Sequence, residues 1–217
     1  MELLFAARRH FAAELRASGR EVCYVTLDDP ENTQSISGEL RRHAERLGVS
    51  ELVITEPGEW RLREELLALN SSATLHVELL EDDRFIVSHA QFQRFLEGRK
   101  SPRMEHFYRQ VRRSTGLLMR DDGKPVGDKW NFDHDNRKRF TGPEPPEPPR
   151  FEPNESTREV LELVASRFAD HFGSLDGFMW PVTRSQALEA LDAFITQRLA
   201  RFGDVQDAMV RDRDTLY

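Results

Sequence analysis

ELVITEPGEWRLREELLALNSSATLHVELLEDD, Glu51–Asp83, carries the strongest architectural signal in the chain. It opens on five residues of alternating, β-branched character (ELVIT) and breaks at Glu56-Pro57-Gly58. An amphipathic segment from Trp60 to Leu69 follows, and then a second β-rich run, Thr74–Leu80, which ends in three acidic residues. A strand, a helix of about ten residues and a strand, each punctuated by turn formers, is the pattern of a parallel βαβ unit.

The same alternation extends upstream. Leu4, Phe5, Phe11 and Leu15 keep helical spacing over residues 3–17, with Gly19 as the stop. Glu21–Leu27 (EVCYVTL) predicts a further strand ending in Asp28-Asp29-Pro30, and a helix follows from about Ser37 to Leu47, closed by Gly48. Downstream, Ser88 and Gln91 form a capping box for a helix to Glu97. Ser101-Pro102 predicts another helix with proline at its first position, running to about Arg113. Residues 115–140 read as irregular. Pro143–Pro149 has five prolines in seven residues and reads as a stiff, extended linker. Beyond it the pattern is helical: a capping box at Ser156 and Glu159, a second at Thr183 and Gln186 before a helix over Ala187–Phe202, and a last segment over Asp204–Tyr217. The fold class expected is α/β: a Rossmann-like parallel sheet, incomplete, then a linker and the first helices of an all-α domain. The boundaries expected are 1–114, 115–153 and 154–217.

Composition narrows the function classes. The net charge of −7 gives no global attraction to nucleic acid. Yet Arg99–Phe140 carries twelve Lys/Arg against six Asp/Glu, a basic stretch that reads either as a solvated face or as a surface for phosphates. The one cysteine, Cys23, allows no internal disulfide and no multi-cysteine metal site, and fits a reducing cytoplasm. No apolar run approaches the roughly 20 residues of a membrane span, and the N-terminus lacks the order of a signal peptide.

Ligands of parallel α/β sheets bind beyond the carboxyl ends of the strands. Those ends carry Asp28, Asp29, Glu56, Asp82 and Asp83. They read as ligand anchors or acid/base groups, or as acidic residues favoured at helix N-termini. Neither GxGxxG nor GxxxxGK[ST] occurs there, which argues against a dinucleotide or P-loop site. His134, flanked by Asp133 and Asp135, has too few neighbouring ligands for a metal and reads as part of a turn. Trp60, Trp130 and Trp180 suit either a stacked planar ligand or core packing. In KWNFDHDNRKRF, the i, i+2 spacing puts Trp130 and Phe132 on one side of an extended chain. They are expected to pin the segment to the α/β domain, leaving Arg137–Arg139 to water or DNA.

Seven stretches in order carry a resemblance: RHFAAEL, YVTLDDPENT, VITEPGEWRL, VELLEDDRFIVS, RMEHFYRQVRRSTGLLM, KWNFDHDNRKRF and GFMWPVTRSQALEALDAFITQRLARFGDVQDAM. Together they resemble the iron–sulfur bacterial photolyases and cryptochromes, the deoxyribodipyrimidine photolyase-related proteins. The resemblance implies light-driven repair of (6-4) photoproducts in damaged DNA, or blue-light reception. It implies FAD in a C-terminal helical domain, a [4Fe–4S] cluster held there by four cysteines, and a lumazine-type antenna pigment in the α/β domain. On this resemblance Gln206, Asp207 and Met209 border a flavin pocket, although Val205 stands where relatives often carry an aromatic residue. Strand-end geometry suggests Asp28, Glu56 and Trp60 for the antenna. With one cysteine the chain cannot hold the cluster. Relatives begin with two further central strands, so the chain is expected to be a fragment, or the product of a mis-called start or a truncated gene, that is inactive alone, unlikely to retain FAD, and inclined to self-associate through unpaired sheet edges. The rival reading is a non-enzymatic α/β module that binds nucleic acid, a partner protein or a pigment.

Overall fold

The computed structural model describes residues 1–72, 74–136, 138–141, 143–205, 207, 208, 210 and 211. The chain divides into two compact units, Asp29–Trp130 and Met1–Asp28 with Asn131–Tyr217. Strands and helices together bear out an α/β fold.

The first unit is built on the βαβ element. Strands β1 (Glu51–Thr55) and β2 (His76–Leu80) pair in parallel, with Leu52 opposite Val77 and Ile54 opposite Leu79. Labelling the N-terminal helix of the other unit α1, the helices here are α2 (Ile36–Leu47), α3 (Trp60–Ala68), α4 (His89–Leu96) and α5 (Met104–Thr115). Period-2 alternation sends Leu52, Ile54, Val77 and Leu79 to one face. There they meet Leu40 and Ala44 of α2 and Leu62 and Leu66 of α3. Leu66 and Leu69 are almost fully enclosed, and burying side chains of that size contributes about 1.5–3 kcal/mol each. The opposite face stays open, with Val53 60% exposed. A second apolar cluster joins α4 to α5: the Phe107 ring lies 5.0 Å from Phe92 and 4.9 Å from Phe95.

The outer edge of β2 is closed by a side chain. His76 donates to Ser50 across the ladder and Leu80 accepts from Glu56, so Val77 points its polar groups the other way. The Asn70 amide takes both of them: Val77 N–H donates to Oδ1 at 2.6 Å, and Nδ2 donates to the Val77 carbonyl at 3.2 Å. A side-chain amide thus stands in for a neighbouring strand.

The second unit is helical. Helix α1 (Glu2–Ala17) packs on α6 (Glu155–Arg167) through Ala6, Val160 and Val164, with Phe178 and Val182 completing the core. Arg9 pairs with Glu159 at 2.6 Å, and His10 Nε2 lies 3.1 Å from Thr157 Oγ1. Helices α7 (Arg184–Gln197) and α8 (Leu199–Val205) follow.

Four local expectations are corrected. Glu21–Leu27 forms no strand; a β-rich run needs a ladder partner, and here the Val22 and Leu27 carbonyls accept from Arg16 and Arg167 instead. Pro102 lies outside α5, which starts after an extended Arg103 without a side-chain cap. The cap of α6 is Asn154, not Ser156: its side chain accepts from the Thr157 amide at 3.0 Å, starting the helix earlier. The helix expected over 187–202 breaks at Arg198, whose buried guanidinium donates to the Pro146 carbonyl. Arg201 likewise donates to the carbonyls of Pro143 and Thr141. Proline has no N–H but keeps its carbonyl, so these arginines fasten the proline-rich run against its own unit. The capping boxes at Ser88 and Thr183 form as expected. Of the segment 204–217, residues 206, 209 and 212–217 lie outside the described residues.

Candidate functional site at the strand ends

Where β1 and β2 end, the chain turns away at Glu56-Pro57-Gly58 and at Glu81-Asp82, and a cavity of about 630 Å³ opens. That is the size range of small-molecule sites. Its position outside the carboxyl ends of parallel strands is where such folds place ligands.

Two kinds of surface face the cavity. One wall is apolar: Phe85, Ile86 and Val87 from the loop after β2, Phe92 from α4, and Met104 and Phe107 from α5. Phe85, Ile86 and Met104 each expose more than 60% of their surface, so a cluster of large apolar groups meets solvent here. The other wall is acidic, with Glu56, Glu81 and Asp82. Each carboxylate is fixed by a partner. Glu56 accepts from Arg63 Nε at 2.5 Å and lies 3.2 Å from His89 Nδ1 through its other oxygen. Glu81 accepts from the His89 amide at 2.7 Å, tying the strand end to the first turn of α4. Asp82 is gripped by Arg84 at 2.5 and 2.7 Å, and that hydrogen bonding holds its carboxyl below the ordinary carboxylate range. The Arg63 guanidinium is raised in turn, chiefly by its bond to Glu56. The result is a slot with stacking surface on one side and oriented acceptors on the other. It suits a planar ligand that carries N–H or O–H donors.

Of the residues expected to hold an antenna, Glu56 lines this cavity. Trp60 does not: it sits at the start of α3, 69% exposed, with the Arg63 guanidinium 5.3 Å from its ring centroid. Asp28 belongs to the other compact unit, in a turn where the Thr26 hydroxyl lowers its carboxyl. Of the residues expected at a flavin edge, Gln206 and Met209 lie outside the described residues, and Asp207 is exposed. Asp133, His134 and Asp135 lie in a turn. Among the described residues no three His, Cys, Asp or Glu side chains converge as metal ligands. No described helix is long and apolar enough to cross a membrane.

Sequence reasoning missed Phe85, His89, Met104 and Phe107. A usable signal was present for the first: Phe85-Ile86-Val87 is an apolar triplet directly after an acidic strand end, an unusual composition for a loop unless something covers it.

Trp130 docks on α5. The guanidinium carbons of Arg109, Arg112 and Arg113 lie 5.4, 5.3 and 4.8 Å from its ring. Phe132 belongs to the other unit and is 41% exposed. The ring that the expected linker retains is therefore anchored by three cations at the last residue of its unit.

The chain aligns with a (6-4) photolyase of Agrobacterium fabrum (strain C58 / ATCC 33970), 44% identical over 215 residues. The alignment covers 98% of this chain and 42% of that protein, so the chain spans less than half the length of the relative it matches. The family described as deoxyribodipyrimidine photo-lyase-related protein matches residues 1–180. With that match over most of its length, the chain belongs to the deoxyribodipyrimidine photo-lyase-related protein family.

Proposed function

We propose that this chain serves a light-dependent DNA photolyase of the (6-4) type, and that the strand-end cavity is its site for a planar antenna pigment of the lumazine class. The observation that carries the reading is the pairing of a stacking wall with the anchored acceptors Glu56, Glu81 and Asp82 in one cavity of about 630 Å³. Membership of the family and the likeness to a (6-4) photolyase support the choice of reaction. A bound pigment supplies light absorption and energy transfer; the protein supplies orientation and exclusion of water. Phe85 and Phe107, on the apolar wall, stack against the ring, and Glu56, held by Arg63, accepts from the ring edge.

A four-cysteine cluster does not fit a chain whose one cysteine, Cys23, is exposed, so no step is derived through it. Flavin binding at Gln206, Asp207 and Met209 remains part of the proposal for a complete photolyase, as do damaged DNA as substrate, the division at 115–153 between antenna and helical parts, and a cytoplasmic setting. The 217 residues alone bind the pigment. The test is reconstitution with a ribityl-lumazine. Wild-type chain gains an absorption band at the violet edge of the visible that survives gel filtration, and Phe85→Asp does not. A wild-type chain that stays colourless overturns the antenna assignment.

A further inference from the structure

Helix α5 presents a second groove, separate from the strand-end cavity. It measures about 600 Å³ and is lined by Arg99, His106, Arg109, Gln110, Arg113 and Ser114. On α5 the lining positions recur at i, i+3, i+4, i+7 and i+8, one continuous helical face. We infer that this groove binds the phosphodiester backbone of DNA, independently of sequence and of damage.

Three observations carry the inference. Positive charge here is poorly compensated: Arg109 pairs with Glu105, while Arg99 and Arg113 have no ion-pair partner among the described residues. The guanidinium groups are also held in place by uncharged partners. Arg99 Nε donates to the Phe95 carbonyl at 2.6 Å and lies 4.5 Å from the Phe95 ring centroid. Arg109 and Arg113 rest on the Trp130 ring. Stacking on an aromatic ring fixes a guanidinium while leaving its edge donors free for phosphate. Finally, the length fits: His106 to Arg113 spans about 10 Å of helix, enough for about two successive phosphates of one strand, which wind around the duplex as they climb it, and Arg99 adds a third contact. The choice of DNA over other polyanions rests on the photolyase reading; the groove does not.

The test is binding of an undamaged, fluorescently labelled duplex by the 217-residue chain, in the dark, between about 50 and 200 mM salt. Three contacts predict a slope of log K against log salt of about −2 to −3. Gln110→Glu with Ser114→Glu places two negative charges in the groove at exposed positions without touching an arginine, and reduces the slope by about one or more. Arg113→Gln does the same, and Arg113→Lys, which keeps the charge, restores binding. Thermal midpoints within a few degrees of wild type show that each variant is folded. Unchanged affinity and slope in the double glutamate variant overturn the inference. So does binding that inorganic pyrophosphate abolishes at equimolar concentration, which marks a small-anion site. The pigment test reads colour and this one reads salt dependence, so either assignment can fail without the other.

Discussion

Arg63 Nε lies 2.5 Å from Glu56 Oε1, joining the first turn of α3 to the end of β1. His89, at the start of α4, approaches the other oxygen of the same carboxylate. One side chain therefore orients three elements around the cavity. Replacing Glu56 by Gln keeps the shape but removes the charge that holds Arg63. Affinity for a reconstituted lumazine is expected to fall about tenfold, the scale of one charge-assisted hydrogen bond. Titration by absorbance or fluorescence quenching checks it, with Arg63→Ala expected to give a loss in the same direction.

Asn70 predicts a different failure. Truncating it to Ala removes the partner of the Val77 N–H and carbonyl at a partly buried strand edge. The expected cost is about 1–3 kcal/mol, measured by urea unfolding. An open edge also recruits other strands, so concentration-dependent association in sedimentation velocity is expected of the variant more than of wild type.

The docking of Trp130 separates two rings that look equivalent in sequence. Trp130→Ala deprives α5 of a ring that three arginines face. Cation–π contacts contribute about 0.5–1 kcal/mol each at exposed sites, so a loss of about 1–3 kcal/mol is expected. Limited proteolysis should cut residues 128–140 faster in that variant.

Glu39 is the clearest titrating group. Hydrogen bonds from Arg42 and from the Thr33 amide hold its carboxyl down, from an ordinary 4.5 to about 2. His43 Nε2, 3.6 Å away, also faces it. Because the folded value is depressed, the stabilisation is fully present above the unfolded value and is lost as pH falls through the folded one. Melting temperature is therefore expected to drop between about pH 4.5 and 2, and Glu39→Gln should flatten that part of the curve.

Much of this was legible in the residues. ELVIT and the strand end HVELL follow from alternation, and the capping boxes at Ser88 and Thr183 follow from hydroxyl-to-glutamine spacing. Glu56 was legible because strand ends in parallel sheets face ligands. Glu21–Leu27 misled because β propensity describes a surface that fits a ladder and does not create one. Arg198 was illegible as a helix breaker, since its reason for leaving the helix is a carbonyl of Pro146, 52 positions away in sequence. The apolar wall combines α4, α5 and a loop, and one sequence does not show that those meet.

The strand-end cavity is proposed to take a planar pigment. The most direct measurement is the absorption spectrum of the purified chain after incubation with ribityl-lumazine and gel filtration, beside Phe85→Asp treated identically. A retained stoichiometric band in wild type that the variant lacks is the predicted result. Equal retention by both proteins, or none by wild type, contradicts it.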